Sequence, residues 1–254
     1  MVEVYRKRIQ IAPVGFEIDR VVIPAKKEKA EKVYLIVHKN MTEENYPIHT
    51  KYYTEIQRKL KAAKIETELV YCDWQNVEEI TRVARDLILK EADSEIAINL
   101  ASGSKNHAIG LDRACMTVRK RENIHPFYPE AKKWNAGKYP HQQSEGVKRI
   151  KQVPIHRVIV PEPELIEALK IIKKDSVLIP TKKGRLGIKK KDLSIAIYGD
   201  DSKQNLTKLQ RNITQKLEKT WRAIEIIQVG QSDWVSLTDE GKYLRYVLKN
   251  EETY

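Results

Sequence analysis

Cysteine is almost absent. Cys72 and Cys115 are the only two, far apart and without a CxxC spacing. A disulfide framework and a thiolate zinc site are therefore both excluded, and the thiols read as reduced groups of a cytoplasmic protein. Methionine is scarce as well, at 3 residues; with abundant lysine this is a thermophile-like composition. No apolar run approaches the ~20 residues that a membrane helix needs, so no membrane partner is expected. The opening MVEVYRKRIQIAPVGF is basic but has no apolar h-region and no small-residue cleavage site, so no secretory signal is expected.

Catalytic signatures are missing too. The six histidines form no HExxH or other metal spacing, and no metal site or cofactor is expected. No nucleophile elbow and no paired carboxylates occur. ASGSKNHAIG lacks the GK[ST] ending of a P-loop, and PVGFE is not GxGxxG. No catalytic residue is assigned.

What remains is a chain of 254 residues, 41% hydrophobic and 32% charged. That suits a soluble globular protein with one large core or two ordinary ones. The net charge is +12. Such an excess of cations often meets phosphates, although a solvated lysine-rich surface would look the same in bulk.

The first part alternates two periods. Arg8–Ala12, Val33–His38, Thr67–Tyr71, Glu95–Leu100 and Asn123–Phe127 read as strands. Between them lie helical patterns: one with Ile18, Val21 and Val22, then 46–63, 76–91 and 109–121. Val33–His38 is apolar throughout, as a strand covered on both faces should be. Strands alternating with helices predict an α/β fold with a parallel, Rossmann-like sheet. Residues 128–147 carry Pro, Gly, Gln and Ser and read as a connector. A domain boundary is expected at PEPE, giving domains 1–160 and 161–254.

The second part reads helix (164–174), helix (189–197), a Tyr198-Gly199-Asp200-Asp201 turn, helix (203–219), a strand hairpin (223–229 and 233–237) and a closing helix (242–249). This order predicts an α+β winged helix-turn-helix. Charge is focused there. Residues 182–222 hold twelve Lys and Arg against four Asp and Glu, a net of +8, whereas 223–254 have a net of −3. A phosphate-gripping surface needs such focusing. Lys203, Gln204, Asn205, Lys208 and Arg211 fall on or near the outer side of the third helix, with Thr207 and Thr214 as further contacts. Gln and Asn can read adenine edges, Arg guanine. Trp221 and Trp234 are expected to pack inside.

One stretch stands apart. IAINLASGSKNHAIGLDR runs from a buried strand into a helix through Ala101-Ser102-Gly103-Ser104-Lys105. In an open parallel sheet, ligands bind beyond the carboxyl ends of the strands at a switch point. Small residues let a backbone approach a ligand, and free N–H groups at a helix start hold anions. The first strand ends similarly, in Pro13-Val14-Gly15-Phe16-Glu17. A bare helix cap is the other reading of the Ser/Gly turn. His107, just after it, reads as a helix-surface residue.

The alternating pattern, the GFE turn after the first strand and the strand-SGSK-helix element resemble CARF domains (CRISPR-associated Rossmann fold), in particular archaeal regulators that join such a domain to a C-terminal winged helix. The resemblance extends over nearly the whole chain. It implies a homodimer whose two copies of these turns line one symmetric pocket for cyclic oligoadenylate or a related nucleotide. It assigns Gly15, Phe16 and Glu17 to the first ligand turn, and Ser102, Gly103, Ser104, Lys105 and Asn106 to the second. The function it implies is transcription regulation through DNA binding. A ring nuclease that cleaves its ligand with Ser104 and Lys105 is the alternative, and Glu17 is an awkward neighbour for a polyphosphate.

Overall fold

A computed structural model describes residues 5–39, 47–118, 122–135, 142–156, 158–180 and 182–249. The chain divides into two compact units, Met1–Val158 and Ile159–Tyr254.

The first unit is a Rossmann-like α/β sheet. Five parallel strands are β1 (Arg8–Pro13), β2 (Lys32–His38), β3 (Glu66–Cys72), β4 (Glu95–Asn99) and β5 (Ile124–Trp134); β6 (Ser144–Gln152) closes the sheet antiparallel to β5. The order is β3-β2-β1-β4-β5-β6. Helices α1 (Asp19–Lys27), α2 (Pro47–Ala62), α3 (Val77–Lys90) and α4 (Lys105–Thr117) connect the parallel strands.

Alternate side chains of each strand feed two cores. Ile9 and Ile11 of β1 join Ile80, Ala84 and Ile88 of α3 and Leu111 of α4. Ala12, Val33, Leu35 and Val37 join Val21 and Ala25 of α1 and Ile56 and Leu60 of α2. β2 is buried from Lys32 to Val37 because helices cover both its faces. The chain moves outward from β1 to β3 on one side, then crosses to β4 on the other. The switch point therefore falls between β1 and β4.

Two expectations need correction. The helix expected over 109–121 begins at Lys105, where Ser104 caps it. The connector expected over 128–147 is largely strand. β5 runs on to Trp134 and pairs with β6, with an irregularity between Glu130 and Ala131. Long-range pairing outweighs the local Pro and Gly signals there, because strand preference depends on the partner strand more than on the segment itself.

The second unit holds α5 (Pro163–Lys174), β7 (Val177–Leu178), β8 (Leu186–Lys189), α6 (Lys190–Tyr198), α7 (Lys203–Leu209), β9 (Ile224–Val229), β10 (Ser232–Leu237) and α8 (Asp239–Val247). Beyond α7 the chain keeps coiling in wider π-helical turns over Gln210–Thr214 and Lys216–Thr220. Its sheet is ordered β7-β8-β10-β9. Leu165, Leu169 and Ile172 of α5 meet Leu209, Ile213 and Leu217 in one core. Trp234 is buried and Trp221 packs at that core's edge. β7 and β8 were not read from the sequence, since two and four residues are too few for a period to show.

Candidate functional site

The turn after β1 and the turn before α4 meet backbone to backbone. Gly15 makes this possible. A Cβ there would stand 2.7 Å from the Gly103 nitrogen and 2.8 Å from its Cα. Gly103 has φ +97°, a region L side chains rarely occupy. A Cβ on Gly103 would also press on Pro13 Cβ at 2.9 Å and His107 Nδ1 at 3.0 Å. Two glycines are thus required for one contact, seen from each side.

Asn99, at the end of β4, ties the turns together. Its side-chain amide donates to the Arg20 carbonyl (2.8 Å) and its oxygen accepts from Ala101 N–H (3.0 Å). Ser104 caps α4: its backbone N–H donates to His107 Nδ1 (3.1 Å), and its hydroxyl accepts from His107 N–H (3.3 Å). The helix N-terminus is thereby held at the carboxyl edge, next to the first turn. Its aligned peptide dipoles make this an electropositive end.

Glu17 has its own partners. It is 4% exposed and accepts from Arg20 Nη1 (2.9 and 3.1 Å) and from the Ser144 hydroxyl (2.5 Å). Arg20 also donates to the Pro129 carbonyl (2.8 Å) and lies 4.8 Å from the Tyr128 ring centre and 5.2 Å from that of Trp134. The β5–β6 hairpin adds further grips. Gln143 N–H donates to the Phe16 carbonyl (3.1 Å), and the Gln142 side chain accepts from Ile18 and Asp19 N–H (2.9 and 3.1 Å). The first turn is therefore held from below by Asn99 and from the side by the hairpin.

A cavity of about 290 Å³ opens over this junction. Gly15, Phe16, Glu17, Gly103 and Ser104 line it from the two turns. His38 at the end of β2, His49 of α2, Trp74 after β3, His107 of α4 and Gln143 complete the wall. Of the eight residues the sequence nominated, five line the cavity and three do not. Ser102 is 1% exposed, and its hydroxyl has no hydrogen-bond partner among the described residues. Lys105 is exposed at the first position of α4. The Asn106 amide donates to the Trp74 and Gln75 carbonyls (3.2 and 3.4 Å), which fixes the loop that carries Trp74.

His107 is 3% exposed, so the surface reading of this residue is corrected. Its Nδ1 faces the cap, which turns the ring inward. Burial pushes its pKa down to about 4, with His49 and His38 adding repulsion. The folded value lies below the usual one, so the unfolded chain takes up the proton first as pH falls. The stabilisation is complete above about pH 6.5 and is lost as pH drops toward 4. Urea unfolding should therefore show the first unit about 2 kcal/mol less stable at pH 5 than at pH 7. Burial lowers the His49 pKa in the same direction. His107→Asn should remove most of the drop; an unchanged drop in that variant would contradict this origin.

His38, His49, Trp74 and Gln143 were missed. His38 and Trp74 follow strand ends and were open to the same edge argument as the glycine turns. His49 reaches the cavity from a helix, and Gln143 from a hairpin read as connector; no spacing marks either.

In the second unit, Lys203, Gln204, Lys208 and Arg211 are exposed on α7 and its continuation. Lys208 Nζ lies 4.6 Å from the Tyr198 ring centre. Asn205 donates its amide to Asp200 (2.8 Å) and its backbone N–H to the Ser202 hydroxyl (3.3 Å). Thr214 is fully buried, so it is removed from the outward-facing set. Among the described residues no group of three or more His, Cys, Asp or Glu could hold a metal ion. No described helix is long and apolar enough to cross a membrane.

Comparison with known proteins places these features in context. The chain is 26% identical to the uncharacterized protein MJ1513 of Methanocaldococcus jannaschii over 246 residues, covering 88% of this chain and 69% of that one. Among solved structures, Csm6 of Enterococcus italicus bound to cyclic hexa-2'-fluoro-hexa-dAMP is 11% identical at a TM-score of 0.38, over 50% of this chain and 35% of that one. A type III CRISPR defence DNA nuclease activated by cyclic oligoadenylate is 12% identical at 0.41, over 67% and 28%. This chain thus spans about a third of those two proteins. Can2 of Sulfobacillus thermosulfidooxidans in complex with cyclic tetra-adenylate is 9% identical at 0.41, over 92% and 77%. The family model described as "HFX_2341_N:-like, N-terminal" matches residues 8–134, half of the sequence, and the chain belongs to that family.

Proposed function

We propose that the protein is a ligand-responsive, DNA-binding transcription regulator. Its first unit is a CARF-type sensor for cyclic oligoadenylate or a similar nucleotide, and its second a winged helix-turn-helix. The observation that carries this reading is the meeting of Gly15 and Gly103 over a cavity at the switch point. That is where an open parallel sheet takes its ligand. The α4 N-terminus and exposed Lys105 supply the positive potential a phosphate needs. Two such sensors, paired about a two-fold axis, suit a ligand of the same symmetry.

On the second unit, exposed Lys203, Gln204, Lys208 and Arg211 form the reading face, with Lys and Arg on phosphates. Asn205 joins them only by releasing Asp200. Ligand binding would shift the balance between two arrangements of the paired reading helices and so alter operator affinity.

The test pairs product analysis after incubation with cyclic tetra-adenylate with a gel shift on the protein's own promoter. A shift with intact ligand supports the regulator. Linear product without a shift supports the ring nuclease. In a salt titration, Lys203→Ala and Arg211→Ala should each lower the slope of log affinity against log salt by about 1. A flat titration of the wild type would instead mean a module for protein contacts.

A further inference from the structure

The cavity over the switch point is lined by no lysine and no arginine. Its one carboxylate, Glu17, is paired with Arg20. Its walls include two aromatic rings, Phe16 and Trp74, and the imidazoles of His38, His49 and His107. The cation suited to phosphate, Lys105, stands outside on the first turn of α4. A bare phosphate inside would find no positive side chain there; a flat uncharged ring would find aromatic walls.

Two of the imidazoles have defined proton positions. His107 Nδ1 accepts from Ser104 N–H at 3.1 Å, so its proton sits on Nε2. His49 Nε2 is 3.2 Å from the Val14 carbonyl, which can only accept, so that nitrogen holds the proton and Nδ1 is bare. His107 Nε2 and His49 Nδ1 are both buried and have no hydrogen-bond partner among the described residues. Buried polar atoms in native proteins are nearly always paired, and exceptions call for an explanation. Here the molecule holds one unpaired donor and one unpaired acceptor on residues that line the same cavity. Both rings stay neutral near pH 7, because burial lowers both pKa values.

We propose that His107 and His49 are the specificity-determining pair of the cavity, which takes the uncharged purine base of a nucleotide while the phosphate stays at the rim near Lys105. A purine edge carries an acceptor beside a donor, the complement of what the two imidazoles offer. The assignment rests on the nucleotide-sensing reading for its biological ligand, but the base preference can be measured without it.

The experiment is calorimetric titration of the full-length protein with adenosine, ribose 5-phosphate, inorganic phosphate and cyclic tetra-adenylate. Adenosine is expected to bind saturably, with ribose 5-phosphate and phosphate at least tenfold weaker. His107→Phe and His49→Phe keep a flat ring and remove the nitrogens; each should weaken adenosine binding at least tenfold in protein whose thermal melt stays cooperative. His49→Phe leaves the α4 cap untouched, so a loss in that variant is not a capping effect. Equal or tighter binding of ribose 5-phosphate, or adenosine binding unchanged in both variants, overturns the proposal. Binding of adenosine without binding of cyclic tetra-adenylate leaves the base site standing and removes the cyclic oligoadenylate sensor. Cyclic tetra-adenylate bound equally by wild type and both variants does the reverse.

Discussion

Glu17→Ala is expected to destabilise the first unit by about 3–5 kcal/mol, the usual cost of removing one partner of a buried ion pair. Arg20 is 2% exposed and would keep its charge with no carboxylate to answer it. The Ser144 hydroxyl would lose its acceptor as well. Urea unfolding followed by circular dichroism measures the loss. A double-mutant cycle with Arg20→Met separates the pair's coupling from the cost of a stranded charge, because the double variant leaves no buried ion behind. It should recover a large part of the loss. A single-variant cost below about 1 kcal/mol would mean that water reaches the pair.

Gly15→Ala should have the larger effect on binding. The added methyl would stand 2.7 Å from a backbone nitrogen, not from a flexible side chain. The two turns must part, at about 1–3 kcal/mol of overpacking strain, and the cavity floor goes with them. Nucleotide affinity is expected to fall at least tenfold. Gly184→Ala is the control. That residue also has positive φ, at +71°, but nothing lies within 4 Å of its Cβ position. It should cost about 1 kcal/mol of backbone strain and leave binding untouched. Equal affinities in the two variants would show that the Gly15–Gly103 contact does not shape the site.

Much of this architecture was legible because parallel sheets are repetitive. β2 is apolar throughout and is covered on both faces, and the stripes of α2 and α3 fall where their helices bury them. The glycine turns could be read because only permissive residues allow a backbone to come close. What stayed hidden depends on long-range pairing. The β5–β6 hairpin carries locally poor strand residues, and only its partner strand stabilises it. Arg20 looked like one more surface cation; its burial follows from a carboxylate three residues earlier and a hydroxyl 124 residues later. His107 was misread because the helix was started four residues late, which rotated its apparent face by more than a full turn.

The most direct test of the whole account is a titration with cyclic tetra-adenylate followed by amide NMR shifts. Saturable movement of the Gly15, Gly103 and Lys105 signals is the predicted result. Saturation that leaves those three signals in place while others move would put the ligand elsewhere and contradict the account.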